Sequence, residues 1–125
     1  MGLFAAGGGV MRLPARVGYA KAMEMAVTGD NISAQEALDF GLLSQVTDDG
    51  GALEAAIALA ERIAKNAPLA VATSKKLVKA AAQGYDEAAL WELQSTLMGA
   101  VFGSNDAKEG PKAFAEKREP NWTGT

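Results

Sequence analysis

Gly2-Leu3-Phe4-Ala5-Ala6-Gly7-Gly8-Gly9-Val10-Met11-Arg12-Leu13-Pro14 follows Met1 directly, and this apolar, glycine-packed stretch decides how the rest is read. Glycines let a backbone turn sharply or approach another group closely. Apolar residues at a free terminus bury nothing, so the segment reads as the interior of a longer fold, with part of the function expected upstream of residue 1.

Working outward, the chain is punctuated into helices. Val17, Ala20, Met23 and Val27 recur at helical spacing, which predicts a helix from Pro14 to the Thr28-Gly29-Asp30 stop. Ser33-Ala34-Gln35-Glu36 has the pattern of a capping box, in which the serine hydroxyl and the glutamate each satisfy an amide of the first turn; Gly41 closes that short helix. Leu42-Leu43-Ser44-Gln45-Val46-Thr47 is the one stretch with strand character. A lone strand makes no sheet, so it either pairs outside this chain or runs as an extended connector.

Leu53, Ile57, Ala60 and Ile63 mark an amphipathic helix over about 51–65. Ala67-Pro68 breaks it, and Pro68 opens the next helix, which runs to about Ala82 before Gly84. Asp86 offers an N-cap for a long helix carrying Leu90, Leu93, Leu97 and Val101 and ending near Gly103. Ser104-Asn105-Asp106 caps again, and Gly110-Pro111 is expected to interrupt the final helix before it resumes through Arg118.

Composition narrows the chemistry. The 125 residues include no cysteine and no histidine, which excludes thiolate nucleophiles, disulfides, histidine-based triads and the usual zinc sites. Twelve basic and fifteen acidic residues are interspersed, giving a net charge of −3 and no basic face for nucleic acid or a membrane surface. No apolar run approaches the roughly 20 residues needed to span a bilayer, and no export signal is recognisable. A cytoplasmic location is expected. Aromatic residues are only 6% while alanine is abundant, which favours closely packed helices.

Three stretches taken together carry a family likeness. Gly7-Gly8-Gly9-Val10-Met11-Arg12-Leu13-Pro14, then Ala22 to Asp30 with Ser33-Ala34-Gln35-Glu36-Ala37 through Gly41-Leu42, and finally Glu109-Gly110-Pro111-Lys112-Ala113-Phe114-Ala115-Glu116-Lys117-Arg118 resemble the enoyl-CoA hydratase/isomerase (crotonase) superfamily in order and spacing. The likeness spans essentially the whole chain, but only the C-terminal portion of a family member. It implies a mainly α fold, the C-terminal helical part of a crotonase-like fold, with at most one short strand and the N-terminal β-β-α spiral missing. Residues 1–14 form the glycine-rich loop and the start of the first helix. Residues 15–50 hold a helix, the short capped helix and the strand candidate, and 51–125 the C-terminal helical region, which the resemblance makes a trimerisation region.

The resemblance also implies acyl-CoA thioesters as substrates, with reversible hydration of a 2-enoyl-CoA in fatty-acid metabolism as the parent reaction. Two backbone amides of the spiral hold the thioester oxyanion, and in hydratases two glutamates handle water and proton. All these positions fall upstream, so no catalytic residue is expected within 1–125, and the chain alone is expected to be inactive. Glu24, Glu36 and Glu109 read as capped or solvated surface and do not replace them.

Four residues are carried over as substrate-binding. Ala6 and Gly7 match the loop beside the catalytic glutamate, although the family usually has glycine where this chain has Ala6; a plain packing turn is the alternative. Phe114 and Lys117, three apart on one helix face, match an aromatic and a lysine that hold the coenzyme A nucleotide, commonly across a subunit boundary. The alternative is an amphipathic pair with Phe114 in the core and Lys117 solvated. Trp91, Met98 and Trp122 read as packing residues, the first two on a helix that could border an acyl-chain pocket. No metal and no cofactor are expected beyond the coenzyme A that is part of the substrate, and the expected partner is a second copy of the chain, in a trimer or a multiple of one. The competing reading is a non-enzymatic helical oligomerisation module, or one half of a split crotonase-like protein.

Overall fold

The computed structural model describes residues 2–125 and resolves into two compact units, 1–55 and 56–125. Eight helices account for the regular structure of the described residues, none of them long and apolar enough to cross a membrane.

The first unit holds α1 (Gly9–Arg12), α2 (Pro14–Val17), α3 (Tyr19–Thr28) and α4 (Ala34–Asp39). The helix expected to run unbroken from Pro14 is in fact split between α2 and α3 by Gly18, whose φ of 79° and ψ of 162° lie far outside the helical region. Glycine takes that conformation without the steric penalty a Cβ would bring, and the chain uses it to turn α3 back against α2. The capping box forms as read. Ser33 Oγ accepts from the Glu36 amide at 3.1 Å, while the Ser33 amide donates to the Glu36 carboxylate at 2.8 Å. Those hydrogen bonds also hold the Glu36 carboxyl below its ordinary pKa, the bond from the Ser33 backbone first.

Lys21 ties α3 to the end of α4: its ammonium pairs with Glu24 at 2.9 Å and sits 4.9 Å from the centre of the Phe40 ring. Beyond α4, residues 42–47 form no strand; they run as a connector, the second of the two outcomes read from the sequence. Strand character in Leu42, Leu43 and Val46 needs a paired edge to become a strand, and none lies beside it among the described residues.

Helix α5 (Ala52–Ala64) crosses from the first unit into the second, which continues with α6 (Pro68–Ala82), α7 (Glu87–Phe102), α8 (Asn105–Glu116) and a tail, 117–125. Pro68 takes the first position of α6, where its missing N–H costs nothing. Asp86 caps α7 by accepting from the Ala89 amide at 2.7 Å, and Ser104 caps α8 by accepting from Ala107 at 3.0 Å. Helices α6 and α7 pack side by side, and α8 leans on α7. The expected interruption at Gly110-Pro111 is absent: α8 runs straight through Pro111. A proline inside a helix costs about 3 kcal/mol, and contacts on both sides of it, described below, hold this one.

Little apolar surface is buried. Among the described residues the buried hydrophobic side chains are those of Ala22, Ala37, Ala80 and Ala113. The stripe of α5 read from the sequence is real but uncovered, with Leu53 73% exposed and Ile57 50%. The accessible surface is 9754 Å².

The Ser33 cap sets a local prediction. Replacing Ser33 with Ala should cost about 1 kcal/mol and speed amide exchange at Glu36 about fivefold, while leaving α6 and α7 unchanged. Residue-resolved hydrogen exchange checks it.

Candidate functional site

The two pairs of residues carried over as substrate-binding lie in different units, so each is described by itself. In the first unit, Ala6 and Gly7 are exposed and adjacent, in an irregular segment leading into α1. The Ala6 amide donates to the Phe4 carbonyl at 2.8 Å, so in this structure it serves a local turn. The Gly7 carbonyl accepts from the Arg12 guanidinium at 3.4 Å. Gly8 sits between, with φ of 88°, and a Cβ there would meet Arg12 Nη1 at 2.7 Å. Glycine at 8 therefore lets Arg12 fold across the loop.

In the second unit, Phe114 lies on the last turn of α8 with 87% of its surface exposed. Within this chain Phe114 is therefore not a core residue. Lys117 closes the helix and does not continue it, which corrects the shared-face reading. It is the C-cap, with φ of 54° and ψ of 39°, the only non-glycine residue at positive φ among the described residues. The Lys117 amide donates to Phe114 at 3.2 Å and the Arg118 amide to Ala113 at 3.1 Å, so the helix ends in a Schellman-like turn where glycine is usual. A left-handed lysine costs about 1–2 kcal/mol relative to the right-handed form. Its ammonium enters none of the ion pairs among the described residues. An exposed ring and an unengaged cation are thus presented within one turn.

The turn is braced by Arg118 and by Glu109, a residue read from the sequence as capped or solvated surface. Arg118 grips Glu109 through two parallel bonds, Nη1 to Oε1 at 2.5 Å and Nη2 to Oε2 at 2.9 Å, and its Nε reaches Glu116 at 2.7 Å. This fork-to-fork geometry is the strong, directional form of ion pair. Glu109 Oε1 also accepts from the Asn121 amide at 2.8 Å. The guanidinium, then the Asn121 amide, draw the Glu109 carboxyl from an ordinary 4.5 to about 2, and Arg118 is held still more firmly protonated by Glu109 and Glu116.

One turn earlier, buried Asp106 holds the end of the tail. Its carboxylate accepts from the Thr123 amide at 2.7 Å, the Thr123 hydroxyl at 3.1 Å and the Gly124 amide at 3.0 Å, and the Thr123 amide leads the forces that lower its pKa. Trp122 donates from Nε1 to the Lys65 carbonyl at 2.8 Å, and its ring lies 3.4 Å from the Cβ position of Gly110. That contact makes Trp122 the packing residue expected. Trp91 lines an apolar groove of about 360 Å³ between α6 and α7, with Leu77, Val78 and Leu90, and Met98 lines a second groove of about 300 Å³ farther along the same helix pair.

The helices thus form the helical portion of a crotonase fold. The chain belongs to the enoyl-CoA hydratase/isomerase family, whose model matches residues 1–125. Among solved structures, an enoyl-CoA hydratase from Mycobacterium marinum superimposes with a TM-score of 0.93 at 51% identity, over 99% of this chain and 50% of that one. An enoyl-CoA hydratase from Mycobacterium tuberculosis H37Rv gives 0.92 at 50% identity, over 99% and 49%. The carnitinyl-CoA dehydratase of Proteus mirabilis (strain HI4320) is 40% identical over 127 residues, 99% of this chain and 49% of that protein. The chain spans about half the length of the curated relatives it matches.

The carboxylate contacts predict an acid response of definite sign. Both carboxyls titrate lower in the folded chain, so they stabilise the tail fully above their ordinary range and lose that contribution as pH falls, for Glu109 from about 4.5 down to about 2. The indole N–H resonance of Trp122 should hold its position near neutrality and move to a solvent-exposed shift over that interval. Glu109→Gln should show part of the change already at pH 7.

Proposed function

We propose that this chain supplies the helical half of an enzyme acting on acyl-CoA thioesters, with reversible addition of water to a 2-enoyl-CoA as the reaction. The observation that carries the reading is the apolar surface left on α5, α6 and α7, where Ile57, Val78 and Trp91 stand at least half exposed. Large apolar side chains left exposed on packed helices suit association with further protein. In the matching hydratases the corresponding helices are joined to an equal length of further chain. The names hydratase and dehydratase among the relatives both describe addition or removal of water, which favours hydration over isomerisation.

The chemistry divides accordingly. An enolate forming on the thioester is stabilised by preorganised amide donors, each worth about 3 kcal/mol, and a carboxylate moves the proton. Those groups belong to the other half in this reading. The loop at Ala6 and Gly7 shapes the wall beside the reacting carbons, and Phe114 and Lys117 take the adenine ring and a phosphate of the coenzyme A nucleotide. No cofactor is needed beyond the coenzyme A of the substrate. The assembled protein is a cytoplasmic homotrimer or a multiple of one, with α5–α8 at the contacts.

The 125-residue chain alone should not hydrate crotonyl-CoA, and refolding it with the N-terminal half of the Mycobacterium marinum hydratase should restore hydration. Turnover by the isolated chain, with host enzyme excluded by a tagged and repurified preparation, would overturn the division of labour. Assembly into a defined oligomer that stays inactive with the added half would instead establish the non-enzymatic association module.

A further inference from the structure

The turn at Lys117 is a backbone conformation that lysine does not choose by itself. Residues held in the left-handed region persist where their surroundings over-determine them, and here the surroundings include three side chains. Arg118 directly follows Lys117 and Glu116 directly precedes it, and the Arg118 guanidinium joins Glu116 to Glu109, two turns back on α8. Glu109 is 19% exposed, Arg118 38% and Glu116 48%, so the inner anchor of the brace is Glu109. The Glu109 to Arg118 pair also straddles Pro111, where α8 lacks one of its own amide donors. The brace therefore fixes both the last turns of the helix and the reversal after it.

From this arrangement we infer that Glu109 and Arg118 are positioning residues, which set the Lys117 turn so that the Lys117 ammonium and the Phe114 ring are presented together to a phosphorylated adenine nucleotide. This inference rests on the reading of Phe114 and Lys117 as nucleotide contacts given above. Neither positioning residue touches the ligand. Glu109 is a carboxylate, and its place near an anion makes sense only because its charge is already taken up by the fork of Arg118 and by the Asn121 amide. Lys117, by contrast, has no carboxylate partner among the described residues and keeps its charge for an incoming phosphate.

Two readouts on the 125-residue chain separate the parts. Backbone chemical shifts and the amide to Hα coupling of Lys117 report its left-handed conformation directly; Glu109→Gln should average that signature while the amides from Ala107 to Ala113 keep their helical shifts. Arg118→Lys, which keeps the charge but not the fork, serves if Glu109→Gln fails to fold, and should have the same effect on Lys117. Coenzyme A is the probe for binding, and Lys117→Ala and Glu109→Gln should each weaken it about tenfold. The double variant should be no weaker than either single one, because Glu109 acts through Lys117. A left-handed Lys117 that survives in Glu109→Gln, or additive losses in the double variant, overturns the positioning role. Coenzyme A binding that is absent from the unaltered chain, or unmoved by Lys117→Ala, overturns the nucleotide reading, and the resonance signature then tests the brace independently of it.

Discussion

Two carboxylates on one face of α8, Asp106 and Glu109, hold the C-terminal tail by its backbone, and the second unit is organised around that hold. They are three residues apart, the spacing that stacks side chains on a helix surface. Between them they accept from the amides of Asn121, Thr123 and Gly124, the Thr123 hydroxyl and the Arg118 guanidinium. Asp106 also stands in the first turn of α8, where a negative charge meets the positive end of the helix dipole. The tail so fixed brings Trp122 to the Lys65 carbonyl, linking the end of the chain to the junction of α5 and α6.

Such polar fastening matters because apolar fastening is sparse. A helix derives most of its stability in a protein from burying an apolar face, yet the fully buried apolar residues of the described chain are all alanines. Leu53, Ile57 and Ile63 of α5 and Trp91, Met98 and Phe102 of α7 are exposed. Their spacing is that of core residues, so the same pattern that builds amphipathic helices leaves them without a core inside this chain. The relatives that match this chain are about twice its length.

What was legible in the sequence was local. Ser33, Asp86 and Ser104 cap helices because a side-chain oxygen needs only the amide three residues on, and Pro68 starts one because its own ring dictates it. What was illegible depended on groups distant along the chain. The stretch 42–47 has strand composition but no pairing edge, and Pro111 fails to break α8 because Glu109 and Arg118 meet across it. Gly18 had an equally local signal, yet the apolar spacing around it is continuous and hid the turn. At the site, Ala6, Gly7, Phe114 and Lys117 came from family likeness alone, and no spacing rule links Arg118 to a carboxylate nine residues away.

The Lys117 turn shows how these levels meet. A Schellman-like end favours glycine, and lysine is uncommon in the left-handed region. Glycine would close α8 with less strain but would present no cation. With lysine there, the reversal needs outside support, and the support lies in the residues on either side of it and in Glu109. The same ion pair also stiffens the helix across Pro111, whose ring removes the amide that would otherwise help. One guanidinium thus maintains two local violations of sequence preference, a proline inside a helix and a lysine in a glycine position. Local sequence preference fails at these two positions because a contact between residues nine apart overrides it.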